Sequence, residues 1–484
     1  MEAPPPPKQH FLLFPWLAFG HIIPFFQLAK RLADAGISVT FLTLPSVFSH
    51  LPPLHVPHHL SLISFHPVSL PSIPELPEAA ATTSDLPPHL QDHLKAAFDA
   101  LQPLFHTLLP KLSPNLVIHD FTSYWLPEIA TTFGIPTVFF SIFNAASFAY
   151  AAVPYRVSGT PTDLTSAPPD FPPSAVYFHP FEAKQLQSLS TFQKTDVSSF
   201  ERFTRTICNS HMVIIRSCYE LEKKYIDYLV KEYLNYFKEC GGSGVKKFLP
   251  IGFLPPRPGD EAHRDNGTMD SGSCQKFVKK PWAKWLDKQP VSSVTYVAFG
   301  TECLLNQSQT NAVAIGLEQS GFRFLWVGRA PVSGKLPLPD GFLERVQGRG
   351  LIVEEWVPQA QILSHPSIGV FFSHSGTSSV IEGLTTGKRL VLLPMILDQG
   401  LIARLVADEW RAALEIERAN LEDGSFTADS VCRAVQRAVS EEDDSETWRN
   451  AKDLQARIFC DTELEMHYLS KFVNCATKLV CPKS

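Results

Sequence analysis

Short runs rich in Val, Ile, Leu and Phe recur along this chain, and each is followed by a longer stretch with helical spacing. That alternation restricts the fold more than any other feature. The runs fall at residues 11–15, 38–44, 60–65, 116–119, 137–141 and 212–216, then again at 294–299, 323–327, 351–355, 368–373 and 389–394. Strands buried on both faces read as nearly continuous apolar runs, and their alternation with helices is the pattern of a parallel α/β sheet. Helices are expected at 24–35, ended by Gly36, and at 92–108. The series is interrupted at 254–280, where Pro, Gly, Asp and Lys accumulate without an apolar period, as in an interdomain linker. A chain of 484 residues also exceeds the size at which one core keeps growing. The expected fold is therefore α/β, with two Rossmann-like doubly wound domains (1–253 and 281–463) facing each other across a cleft. Residues 464–484 should form a last helix that packs back on the first domain. In such sheets ligands bind beyond the carboxyl ends of the strands, which here would line the cleft.

Composition removes several classes of function. The net charge of −6 lacks the basic footprint of a nucleic-acid binder. The apolar stretch 11–26 is broken by Pro15, Gly20, His21 and Pro24 and has only Lys8 as a basic leader, so it does not read as a secretory signal. No other run reaches the ~18 apolar residues of a membrane span, and no integral membrane association is expected. The nine cysteines are an odd number without CxxC pairs, which fits a reducing cytosol and a cytoplasmic location. The sequons at Asn266 and Asn306 would then be chance matches. The 41 prolines gather in loops and imply stiff connections.

The chemistry-bearing stretch is Trp356–Gln399, WVPQAQILSHPSIGVFFSHSGTSSVIEGLTTGKRLVLLPMILDQ. Trp356 offers an aromatic plane suited to stacking a flat base, and Gln359 an amide donor and acceptor for a base edge or a hydroxyl. The strand at 368–373 runs into His374-Ser-Gly-Thr-Ser-Ser379 and then a helix. Strand, small-residue turn and helix N-terminus together form an anion site. His374 and Ser379 can add donors there, and as a phosphate departs its growing charge is stabilised by the same groups. Ser379-x-x-Glu382 fits a capping box, the alternative to a ligand role for Glu382. Asp398 and Gln399 place a carboxylate and an amide side by side, able to accept from and donate to a polyol.

This stretch, with FPWLAFGHIIPFFQLAKRLADAGISVTFLT near the start and WLDKQPVSSVTYVAFGT before the second sheet, resembles the plant family 1 UDP-sugar-dependent glycosyltransferases over nearly the whole chain. The resemblance implies the GT-B fold and a donor site comprising Thr301, Trp356, Val357, Gln359, His374, Gly376, Thr377, Ser378, Ser379, Glu382, Asp398 and Gln399. It implies His21 as the base that deprotonates the acceptor hydroxyl and Asp120 as its partner carboxylate, roles their chemistry suits. His119 should point away, since strand side chains alternate. The acceptor pocket is expected near Phe143 and Asn144, within aromatic-rich loops at 140–150 and 178–203.

No Asp-x-Asp pair is present for holding Mg²⁺ or Mn²⁺, so metal-independent chemistry is expected, with a UDP-sugar, most simply UDP-glucose, as co-substrate and no resident cofactor. The histidines at 50, 55, 58, 59 and 66 read as a polar loop, no carboxylate accompanying them in sequence. A monomer is expected. The family usually writes His-Cys-Gly-Trp-Asn-Ser where this chain has HSGTSS. Thr377 removes a ring from beside the donor sugar, and Ser378 shortens a side chain that commonly meets phosphate. The segments FPWLAFGHIIPFFQLAK and LVLLPMILDQGLIARLV resemble the branch that attaches glucose or rhamnose to a sugar already on a flavonoid or terpenoid. Transfer to the bare aglycone is the alternative, and a non-catalytic UDP-sugar sensor a more distant one. A Rossmann oxidoreductase is disfavoured because Gly20-His21-Ile22-Ile23-Pro24 lacks the glycine fingerprint.

Overall fold

The computed structural model describes residues 9–157, 163–191, 197–239, 247–257, 280–329, 335–442 and 444–480. Two all-parallel sheets organise them. The first holds β1 (His10–Phe14), β2 (Ser38–Thr43), β3 (Ile63–Pro67), β4 (Leu116–His119), β5 (Thr137–Ser141), β6 (Met212–Ile215) and β7 (Lys247–Pro250) in the order β3-β2-β1-β4-β5-β6-β7. The second holds β8 (Val294–Ala298), β9 (Arg323–Val327), β10 (Gly350–Val353), β11 (Ile368–Ser373), β12 (Arg389–Leu392) and β13 (Ala413–Glu415) in the order β10-β9-β8-β11-β12-β13. In each sheet the chain builds outward in one direction, then returns to the first strand and builds the other way. The direction reverses between β1 and β4 and between β8 and β11, the two places where such a sheet opens a ligand crevice.

Alternation along the strands divides the second core between two faces. Tyr296, Phe371 and Leu392 pack on one side, while Val297, Phe372 and Val391 pack on the other. This is the period-two placement of strand side chains covered by helices on both faces.

The structure corrects several sequence boundaries. Residues 60–65 are not one strand: a helix covers Pro57–Leu62 and β3 starts at Ile63. Pro57 opens that helix where its missing N–H costs nothing. The helix expected at 92–108 is two, Gln91–Asp99 and Gln102–Leu112, the second carrying Pro103 in its first turn. The helix expected from residue 24 begins at Phe19 and runs to Asp34 with Pro24 inside it. Strands β7 and β13 were not anticipated.

The last helix, Thr462–Val480, lies on the first domain. Leu469, Phe472 and Ala476 join that domain's core, Gln9 Nε2 donates to Thr477 Oγ1 at 3.0 Å, and Glu465 pairs with Arg31 and Arg257. Of the proposed linker, residues 258–279 lie outside the described residues. No helix among the described residues is long and apolar enough to cross a membrane.

Candidate active site

The first crevice carries His21 and Asp120. Strand β1 pairs with β4 so that Phe14 lies opposite His119, which brings the segments leaving both strands side by side. His21 falls in the first turn of the helix Phe19–Asp34, not in a loop ahead of it. Its Nδ1–H donates to Asp120 Oδ2 at 2.7 Å. The same oxygen accepts the Trp16 N–H at 3.1 Å, and Oδ1 accepts the Phe121 N–H at 2.8 Å. The carboxylate is thus oriented by backbone donors, and with Nδ1 occupied the ring presents Nε2 to a ligand. Burial opposes protonation of His21, but the charge and hydrogen bond of Asp120 outweigh it, helped by Glu302 and Asp398, and its pKa is raised. Phe121 and Phe143 flank the ring at 5.7 and 6.0 Å between centroids. His119 turns to the other face, bonded to Ser210 at 2.9 Å, and burial pushes its pKa down to about 4.

The second crevice carries the turns after β8 and β11. Gly300, at φ +72°, and Gly376 leave room for the His374 ring: a Cβ on either would lie 2.6 or 2.8 Å from His374 Nε2. Thr301 follows Gly300 and is partly exposed. Burial pushes His374 down to about 4, so near neutral pH it is an uncharged ring with one N–H to donate. The helix Thr377–Thr385 starts after Gly376 with no side-chain cap, so its first backbone N–H groups stay free for an anion. Because Gly376 is the N-cap, the capping-box alternative for Ser379 and Glu382 does not apply. Gln359 Nε2 instead donates to Ser379 Oγ at 3.1 Å and to Glu382 Oε2 at 2.8 Å. Thr377 and Ser378 occupy the first turn, partly exposed. Trp356 is 58% exposed, so it is not a core aromatic; His50 lies edge-on to it at 6.4 Å. The Val357 side chain belongs to the second core, which leaves its backbone as the only part able to meet a ligand.

A cavity of about 430 Å³ lies between the domains at the first crevice, and Trp356, Gln359, Glu382 and residues 374–379 of the second crevice do not line it. The first domain contributes His21, Phe121, Phe143, Phe148 and Phe203, and the second contributes Glu302, Leu397 and Asp398. Burial pushes Asp398 up to about 6. The Ser147 hydroxyl, from the opposite domain, bonds to the Asp398 carboxyl across the cavity wall and partly offsets the effect of burial.

Two expected contacts are corrected. Gln399 does not offer its whole amide to a sugar: Oε1 already accepts the Met395 and Ile396 N–H groups, both at 2.9 Å, leaving only its NH₂ as a donor. Asn144 does not line the cavity. Its side chain caps the helix Ala145–Ala151 by accepting the Ser147 N–H at 2.7 Å. Sequence reasoning missed Thr83, Gln91, Asp92, Lys95 and Glu302 in the cavity wall. Glu302 directly follows Thr301 and was findable; Thr83 opens the short helical turn Thr83–Asp85, capped by Thr82 and Asp85, which nothing in the sequence ties to the cavity. The reading that no carboxylate joins the histidines is also corrected, since Asp34 Oδ1 meets His58 and His59 at 2.8 and 2.6 Å. Arg257 holds the other oxygen of Asp34 at 2.6 Å, so a cation already serves that carboxylate.

Residues 266–445 match the family model described as UDP-glucoronosyl and UDP-glucosyl transferase. The chain is 36% identical to UDP-glycosyltransferase 91C1 of Arabidopsis thaliana over 469 residues, covering 96% of this chain and 95% of that protein. It is 34% identical to the anthocyanidin 3-O-glucoside 2'''-O-xylosyltransferase of the same plant, covering 97% of each. Among solved structures, UGT89C1 of Arabidopsis thaliana complexed with UDP-L-rhamnose superposes with a TM-score of 0.72 at 25% identity, over 97% of this chain and 99% of that one.

Proposed function

The chain belongs to the UDP-glucoronosyl and UDP-glucosyl transferase family, a GT-B glycosyltransferase acting with a UDP-sugar on plant small molecules, and from that premise we propose an inverting transfer of glucose or rhamnose to a hydroxyl of a flavonoid or terpenoid glycoside. The observation that carries this reading is one cavity lined by His21, whose ring is held from behind by Asp120, on the first domain and by Asp398 on the second. His21 Nε2 takes the proton of the acceptor hydroxyl. The acceptor oxygen forms its bond to the anomeric carbon as the bond to the β-phosphate oxygen breaks, and UDP leaves with that electron pair. Asp120 stabilises the imidazolium that results. Base and diphosphate site lie on opposite domains, so attack and departure occur on opposite faces of the sugar; a UDP-α-D-glucose donor yields a β-glucoside.

On the donor side, Trp356 stacks uracil, Gln359 and Glu382 hold the ribose, and Val357 contributes backbone. His374, Gly376, Ser378, Ser379 and Thr301 meet the diphosphate, and Thr377, Asp398 and Gln399 border the sugar. A glycoside acceptor is supported by the cavity's mixed wall. Its phenylalanines suit an aglycone, while Gln91 and Lys95, the latter bonded to Asp92 and Ser199 at 3.0 Å each, suit hydroxyl groups. The relative named for an anthocyanidin 3-O-glucoside acceptor supports the same reading. The six cysteines described are all free thiols, which suits a cytosolic location.

UDP release measured with UDP-glucose and UDP-rhamnose against paired glycosides and aglycones tests the proposal. Turnover of the glycosides, unchanged by EDTA, is expected. Faster turnover of the bare aglycones would move the acceptor to the alternative class, and loss of activity with EDTA would contradict metal-independent chemistry.

A further inference from the structure

Arg216 follows β6 in the first domain, yet its guanidinium reaches the second. Nη1 donates to Ser378 Oγ at 2.8 Å, and Nε donates to the Phe253 carbonyl at 2.7 Å. The residue is 3% exposed and forms no ion pair among the described residues. Ser378 is the second residue of the helix Thr377–Thr385, so the cation sits beside free N–H groups and the positive end of a helix dipole. For the chain alone this is an unfavourable arrangement: a desolvated cation pressed toward more positive charge. The anion that acts on it at longer range is Glu382, already engaged by Gln359 and itself opposed in ionising by burial. Burial accordingly pushes Arg216 down to about 10. A side chain placed at this energetic disadvantage is explained if a dianionic group completes the site.

We propose that Arg216 is a ligand of the donor's diphosphate, supplied by the acceptor domain across the seam and acting together with the Ser378 hydroxyl. The proposal rests on the donor site described above. Ser378 Oγ accepts from Arg216, which turns its own hydrogen toward the phosphate, while Nη2, with no hydrogen-bond partner among the described residues, gives the guanidinium a second donor. The pair makes up for the short Ser378 side chain at the helix start. It also places a positive charge where negative charge grows as UDP departs, and ties nucleotide binding to the approach of the two domains.

Calorimetric titration of UDP and of uridine, which lacks phosphates, into the wild type, Arg216→Gln and Arg216→Lys tests this. Arg216→Gln should bind UDP about 10- to 100-fold more weakly, the loss expected for hydrogen bonds to a charged group, and bind uridine as the wild type does. Arg216→Lys should fall between, and it carries the test if the Gln variant does not fold. UDP affinity unchanged in both variants, or UDP and uridine weakened equally, overturns the role of Arg216 and leaves the donor site standing. A wild type that binds neither compound overturns the donor site itself.

Discussion

Burial alone would make the His21 imidazole a reluctant proton acceptor, and the helix N-terminus on which it sits works in the same direction. Asp120 reverses that tendency, with Glu302 and Asp398 adding to it. The sign of the pH dependence follows. A base whose pKa is raised loses activity on the acid side starting above the ordinary histidine value of 6.5. In Asp120→Asn the largest raising influence is gone while burial remains, so the acid limb of kcat/KM should move to lower pH as the maximal rate falls. A pH–rate profile checks this; a limb that stays in place would assign it to another group. At this scale much was legible. Asp120 and Trp356 stand just after strands, and His21 and Glu382 on the helices that follow strands; strand-then-helix spacing is visible in a sequence. Arg216 was not legible, because its meaning comes from a contact with Ser378 across the domain seam.

Helix Ala145–Ala151 shows how an element positions the cavity wall. It carries Ser147, Phe148 and Ala151, and its first turn is capped twice: Asn144 accepts the Ser147 N–H, and Glu222 Oε1 accepts the Ala146 N–H at 2.9 Å. Ser217 Oγ donates to the other oxygen of Glu222. Burial pushes Glu222 up from 4.5 to about 7. A carboxyl group with a raised folded-state pKa favours the folded state fully below its unfolded pKa, and that contribution is lost as pH rises from about 4.5 to about 7. Glu222→Gln keeps the shape without the ionisation, so its melting temperature relative to wild type should rise between pH 5 and pH 8. Thermal unfolding at both pH values decides, and a constant offset would contradict the account. The elements that escaped the sequence did so for local reasons. Strand β13 spans only three residues at a sheet edge. Residues 60–65, LSLISF, are as apolar as a strand, and only Pro57 ahead of them marks a helix start.

At the scale of the molecule, the two domains are joined by more than their shared cavity. Arg404, buried on the helix Gln399–Arg404, pairs with Glu182 of the first domain and with Glu415 at 3.1 Å, and donates from Nε to the Tyr177 carbonyl at 2.7 Å. Gly400, next to Gln399, leaves space for the Glu182 carboxylate, since a Cβ there would collide with its Oε1. Removing Arg404 takes the shared guanidinium from the buried Glu182 and the partly buried Glu415, so Arg404→Ala should cost about 3–5 kcal/mol, with part recovered by adding Glu182→Gln. Denaturant unfolding of the single and double variants measures both. The doubly wound order of each sheet followed from strand and helix alternation, whereas this buried pair, from residues far apart in sequence, carried no local pattern. The central claim about the whole molecule is that a base on one domain attacks through an acceptor onto a donor held by the other. Single-turnover rates and UDP affinity of His21→Ala, measured with a glycoside acceptor that the wild type converts, test it most directly. The account predicts a rate lower by roughly 10²–10⁴-fold with UDP affinity unchanged; turnover close to wild type would contradict it.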